Sequence, residues 1–117
     1  MAKEAAGVLV QRAGRILSVR RKDGSIGLPC GKVERDESND ECAERECLEE
    51  TGYTAALTGE AYEGKEGDYS VYIFPASILT MGRGSADPET LWLLPEELCV
   101  GRFAEFNKAV LDFFYVI

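Results

Sequence analysis

Gly31-Lys32-Val33-Glu34-Arg35-Asp36-Glu37-Ser38-Asn39-Asp40-Glu41-Cys42-Ala43-Glu44-Arg45-Glu46-Cys47-Leu48-Glu49-Glu50-Thr51-Gly52-Tyr53 is the stretch on which the fold turns. Ser38 followed three residues later by Glu41 is a capping box: the hydroxyl accepts from an early backbone N–H and the carboxylate reaches back to the cap. Gly52 is suited to close the helix in the left-handed conformation. A helix over Asn39 to Thr51 follows. Glu46, Glu49 and Glu50 stand at i, i+3 and i+4 and share one face, where like charges repel. Ala43, Cys47 and Thr51, extended by Leu48, form the neighbouring apolar arc, so the acidic stripe borders the buried side. Three carboxylates at a core boundary call for a counter-charge, and hard divalent cations favour oxygen ligands of this kind. The other reading of the helix taken alone is a solvated glutamate face.

The wider spacing decides between the two. Gly31, Glu37, Arg45-Glu46, Glu49-Glu50 and Gly52 fall at the fixed offsets of the Nudix box, G-x5-E-x7-R-E-U-x-E-E-x-G-U, with Cys47 and Tyr53 at the U positions. The stretch Leu28-Pro29-Cys30-Gly31-Lys32-Val33-Glu34 is similar to the family's L-P-G-G-K-V-E. The segment Gly7 to Arg21 and the tail Phe103 to Leu111 resemble the first strands and last helix of the MutT-like subgroup. The resemblance implies an α/β fold, an α/β/α sandwich with a mixed β-sheet, and a metal-dependent pyrophosphohydrolase in a single domain over residues 1–117.

The resemblance also implies roles. Glu46, Glu49 and Glu50 would hold Mg²⁺, with Mn²⁺ as the alternative, joined by the backbone carbonyl of Cys30, where the family usually has glycine. Glu37 would pair with Arg45, and Gly31 would permit the tight loop. The base that takes the proton from water is Glu49 or Glu50, or a residue of a later loop, Asp87 or Glu89. Arg21 resembles a phosphate-contacting arginine of the subgroup, with Arg20 and Lys32 as further cations near the expected site; for each, a solvated surface role is the other reading. Asn107 matches an asparagine that reads a purine base, an amide being able both to donate and to accept; the alternative is a polar residue on the helix exterior. Tyr69 lies where dinucleoside-polyphosphate hydrolases carry a marker tyrosine, or is an ordinary strand residue. No proline precedes Pro75 in that region, which disfavours the ADP-ribose subgroup.

Composition sets outer limits. The chain has 117 residues, a formal charge of −8 and no histidine, with 45% apolar residues to supply a core. An acidic chain is a poor partner for a nucleic-acid polymer, yet it takes a small polyphosphate when metal ions lie between the two. Without histidine there is no Ser/His or Cys/His nucleophile pair. Cys30, Cys42, Cys47 and Cys99 form no CxxC pair and read as reduced, packed thiols, although Cys30 beside the site leaves activity open to thiol reagents. No apolar run is long enough for a membrane span or a leader peptide, so a cytoplasmic location is the default. Pairing into a homodimer stays open.

Elsewhere, Ala6–Val10 and Arg15–Arg20 read as a hairpin. Strands are expected over Tyr53–Leu57, Tyr69–Leu79 and Leu91–Leu94, with Glu63–Asp68 as a polar connection and Pro75 marking an edge or a bulge. Met81–Pro88 reads as a Gly-rich loop, Pro95–Leu98 as a turn or short helix, and Ala104–Val116 as a terminal helix. The function readings that compete are a hydrolase of nucleoside triphosphates, a hydrolase of dinucleoside polyphosphates, a catalytically silent nucleotide-binding module on the same fold, and, least supported, a thiol-based redox or metal-handling protein.

Overall fold

The computed structural model describes residues 3–86 and 88–116; Asp87 lies outside the described residues. In chain order the elements are β1 (Lys3–Leu9), β2 (Gln11–Arg12), β3 (Arg15–Arg20), β4 (Ile26–Gly27), β5 (Cys30–Lys32), α1 (Asn39–Thr51), β6 (Thr54–Leu57), β7 (Tyr62–Glu66), β8 (Tyr69–Thr80), β9 (Glu89–Leu93), a 3₁₀ turn over Pro95–Leu98, and α2 (Ala104–Phe113).

The apolar run that opens the chain becomes β1 because it is covered on both faces. Side chains alternate across a strand, and here Ala6 and Val8 join one core cluster while Ala5 and Leu9 join another. The first cluster packs Cys42, Ala43 and Cys47 of α1 against Phe74 and Ala55; the second packs Val110 and Leu111 of α2 against Val71 and Ile73. The result is an α/β/α sandwich. Its main sheet runs β5-β1-β8-β6, with β7 also on β8. β1 and β8 are parallel and the other pairs antiparallel, so the sheet is mixed. A second, antiparallel sheet sets β2, β4 and β9 around β3.

Three sequence expectations change. The first hairpin forms only at its tip, Gln11–Arg12 against Arg15–Ile16, with Ala13 and Gly14 both at positive φ (52° and 77°), the conformation two-residue hairpin loops prefer. The rest of β1 cannot pair with β3 because β5 and β8 occupy its two edges. The expected polar connection at Glu63–Asp68 is mostly strand: β7 pairs with β8 from Tyr62↔Ile73 to Glu66↔Tyr69. Its Gly/Glu/Lys composition is poor for a strand, but the two-residue turn at Gly67-Asp68 brings it onto β8 and tertiary pairing overrides propensity. The terminal helix ends at Phe113, three residues short of Val116. Pro75 sits where β8 exchanges partners, between Ile73, which faces the first residue of β7, and Ala76, which faces the last residue of β6. Among the described residues no helix is long and apolar enough to cross a membrane.

Candidate active site

Helix α1 is held at both ends by its own sequence. Ser38 Oγ accepts from Glu41 N (3.1 Å), Glu41 Oε1 accepts from Ser38 N (2.9 Å), and Gly52 at φ 77° donates to Leu48 O (2.8 Å). With Cys42, Ala43, Cys47 and Thr51 fully buried, the rotation of the helix is fixed and the three stripe glutamates are not equivalent. Side chains of Glu46 and Glu50 are 13% and 16% exposed; that of Glu49 is 58% exposed. The i, i+4 pair faces inward and Glu49 stands at the rim.

Arg45 gathers the carboxylates on one side. Its guanidinium donates from Nη2 to Glu37 Oε1 (3.0 Å) and Lys32 O (3.1 Å), from Nη1 to Glu46 Oε2 (2.9 Å) and Glu49 Oε1 (2.8 Å), and from Nε to Glu37 Oε2. Glu37 in turn accepts from Glu34 N (2.9 Å), closing the loop that leads into α1. The charge-assisted bonds from Arg45 hold the Glu37 carboxyl down at about 2, and the same partners raise Arg45. Glu46 is shifted upward, burial outweighing the attraction of Arg45.

The loop that faces these carboxylates depends on two glycines. A methyl group at Gly31 would run into the Glu46 carboxylate, and one at Gly7 would meet Pro29 O and the Cys30 side chain. Gly7 lies opposite Cys30 in the β1–β5 ladder, so the thiol that stands where the family usually has glycine is accommodated by the bare backbone beside it. Burial pushes that thiol up to about 12, with Glu50 adding to the shift. Cys30 N donates to Glu50 Oε1 (3.1 Å), and Arg21 Nη2 donates both to Cys30 O (3.2 Å) and to Glu50 Oε2 (3.2 Å). Burial raises the Glu50 carboxyl to about 7; Arg21 opposes this and the nearby Glu46 reinforces it.

Arg21 also belongs to two clefts. The first, about 440 Å³ including its open mouth, is lined by Leu28, Val71, Ile73, Phe103 and Phe106 with Arg21, Cys30, Glu66 and Asn107. The second is polar and lined by Arg20, Arg21, Lys22, Ala86 and Glu89. The structure therefore brings together Arg21, Cys30, Glu50 and Asn107. Asn107 is not on the helix exterior: it is 2% exposed, and its Nδ2 donates to Leu98 O (3.0 Å) and Ile26 O (3.4 Å). Lys32 and Tyr69 stand apart from both clefts, the Lys32 ammonium lying 5.9 Å from the Tyr69 ring centre, with Lys3 at 5.7 Å. Glu89 is engaged by Arg20 at 2.8 Å. Of the two loop candidates for the base, Asp87 is outside the described residues. Sequence reasoning missed Glu66, Leu28 and Phe103 as lining residues. Phe103 and Asn107, one helical turn apart, were the available signal, but the role of Glu66 depends on β7, which was not anticipated.

The donor chemistry fits a divalent cation: Glu46 and Glu50 are carboxylates buried against the same loop, both shifted upward chiefly by burial, beside the Cys30 carbonyl. Among the described residues no three acidic or thiol side chains converge into a ready cage. Arg45 and Arg21 supply the positive charge instead.

An α/β/α sandwich in which an acidic helix closes on a glycine loop beside an arginine-bearing cleft defines the class, a hydrolase of phosphoanhydride bonds. The chain matches the NUDIX domain over residues 1–114, and it belongs to that family. It is 35% identical over 113 residues to a protein of Bacillus subtilis (strain 168) provisionally named an 8-oxo-dGTP diphosphatase, covering 91% of this chain and 75% of the relative. Among solved structures it is similar to an Ap4A hydrolase from C. elegans in a binary complex (TM-score 0.77, 21% identity, 95% and 96% of the two chains). It is also similar to a mutator MutT protein from Bacillus halodurans (TM-score 0.69, 21% identity, 92% and 79%). Likeness at that level of identity establishes the fold. Members of the family generally depend on a divalent metal, and this chain is a Nudix hydrolase of pyrophosphate bonds.

Proposed function

We propose that the protein, acting as a single domain, hydrolyses a purine nucleoside triphosphate, with an oxidised guanine nucleotide the favoured substrate, adding water across a phosphoanhydride bond. The observation that carries this is Arg21, shared between the apolar cleft that ends at Asn107 and the carboxylate of Glu50. A base held between Phe103 and Phe106 would leave its phosphates running past Arg21 toward α1 and the cluster of Arg20 and Lys22. Glu46, Glu49, Glu50 and the Cys30 carbonyl would hold Mg²⁺, or Mn²⁺, which neutralises phosphate charge and lowers the pKa of water when bound. Arg21 steadies a phosphate by a charge-assisted bond. Glu50, at the buried end of the stripe, would accept the proton from water, with Glu49 at the rim as the other candidate. Arg45 and Glu37 keep the loop and helix in register. The homology to a protein named for 8-oxo-dGTP supports the choice of base. Tyr69, which lines neither cleft, gives no support to a dinucleoside polyphosphate.

The test is a panel of dGTP, 8-oxo-dGTP, dATP, Ap4A and ADP-ribose with Mg²⁺ and with Mn²⁺, products resolved by ion exchange. The expected result is highest kcat/KM on an oxidised or ordinary guanine triphosphate. Preference for Ap4A or ADP-ribose, or no turnover of any triphosphate, would overturn the reading.

A further inference from the structure

Strand β7 carries a residue whose position the reaction does not explain. Along it Tyr62, Gly64 and Glu66 are half-buried, while Glu63 and Lys65 are exposed. The half-buried set faces α2: the Tyr62 ring meets Phe106 edge-on, with centroids 6.3 Å apart. Glu66 extends that row to the wall of the apolar cleft, among Val71, Ile73, Phe103, Phe106 and Asn107. It has no hydrogen-bonded or ion-pair partner among the described side chains. A carboxylate beside apolar and aromatic groups calls for donors to bind.

Asn107 narrows what those donors belong to. Its Nδ2 is committed to two backbone carbonyls, Leu98 O and Ile26 O. Turning the amide over would set oxygen against both carbonyls, so the orientation is fixed. Its Oδ1 accepts from no described residue, which leaves the amide as an acceptor toward the cleft. With Arg21 at the phosphate side, the inner cleft presents acceptors from two elements, Glu66 on β7 and Asn107 on α2.

We propose that Glu66 is a specificity-determining residue that selects a base with two adjacent N–H donors on its pairing edge, the guanine pattern of N1–H and the 2-amino group. A carboxylate offers two oxygens in matching arrangement and accepts only. Hypoxanthine lacks the 2-amino donor, and adenine presents a ring acceptor where guanine has N1–H. The proposal rests on the cleft being the nucleoside site of the proposed hydrolase and names the feature of the base that it recognises.

The test is equilibrium binding of GMP and IMP, measured by calorimetry without metal, to the wild type, Glu66→Gln and Glu66→Ala. The phosphate and ribose are the same in both ligands, so their contributions cancel. The wild type is expected to hold GMP about tenfold or more tighter than IMP, the scale of a hydrogen bond to a charged group. Glu66→Ala should bring the two within about twofold and Glu66→Gln should fall between. The near-isosteric glutamine variant, checked by its melting temperature, serves should the alanine variant fold poorly. Equal binding of GMP and IMP to the wild type, an unchanged gap in either folded variant, or no binding of either ligand would overturn the proposal. Because no bond is broken in this assay, its outcome is separate from that of the triphosphate panel, which reports on the hydrolase reading.

Discussion

Helices α1 and α2 cover opposite faces of the same sheet and are held there by different means. Helix α1 has a complete capping box, a left-handed glycine at its end and a guanidinium that ties Glu37, Glu46 and Glu49 together. Helix α2 has no side-chain cap at Phe103; it is fixed by Val110 and Leu111 in the core and by the two bonds that Asn107 sends into the chain beneath it. Helix α1 is determined by polar groups at set spacings, and it positions the carboxylates. Helix α2 is determined by what it packs against, and it supplies the wall of a cleft. On the proposed function, chemistry and selectivity fall on elements that can vary separately.

Substitutions on the two helices should keep these roles apart. The largest effect is expected from Glu50→Gln, which should lower turnover by about 10²–10⁴ while leaving the melting temperature at neutral pH unchanged or higher, because burial already disfavours the charged form. A large loss of stability would show the carboxylate to be structural. Arg45→Ala leaves Glu37, Glu46 and Glu49 without their shared cation. Urea unfolding should show a loss of about 2–4 kcal/mol, and Arg45→Lys should recover little of it, since an ammonium lacks the fork.

On the other face, Asn107→Leu strands the Leu98 and Ile26 carbonyls, at a cost of about 1–3 kcal/mol. Activity toward substrates without a base should survive in that variant; its disappearance would mean that the two helices are coupled. The smallest effects return to α1. Ser38→Ala should remove about 1 kcal/mol by loss of the cap. Glu37, whose carboxyl is at about 2 in the folded chain against an ordinary value of 4.5, contributes stability that is complete above pH 4.5 and is lost as pH falls from there toward 2. In Glu37→Gln that part of the acid-unfolding profile should flatten.

The same contrast explains what the sequence disclosed. Helix α1 spans Asn39–Thr51, the range its caps predict, because every signal involved lies within four residues of its partner. The offsets from Gly31 to Gly52 carry the approach of Glu37 to Arg45 for a similar reason: loop and helix are continuous. What long-range pairing decides was hidden. Glu63 to Glu66 has the composition of a loop and becomes a strand because β8 is there to receive it. Asn107 reads as polar surface or base reader, and only the fold shows that its amide nitrogen is consumed by Ile26 and Leu98. The stripe of three glutamates looks uniform along the helix, yet packing of Cys42 and Cys47 turns Glu46 and Glu50 inward and leaves Glu49 at the rim. Arg21 gave no local sign that it would reach Glu50.

The parallel pairing of β1 with β8 sets Lys3 against Tyr69 and Leu9 against Pro75. During synthesis one edge of β1 can pair with β5 early, but the other must wait for β8, a delay of several seconds at about 5–20 residues per second. Through that interval Ala5-Ala6-Gly7-Val8-Leu9-Val10 is an uncovered apolar strand. That run is where the growing chain is open to chaperones and to self-association, before α1 has a complete sheet to rest on.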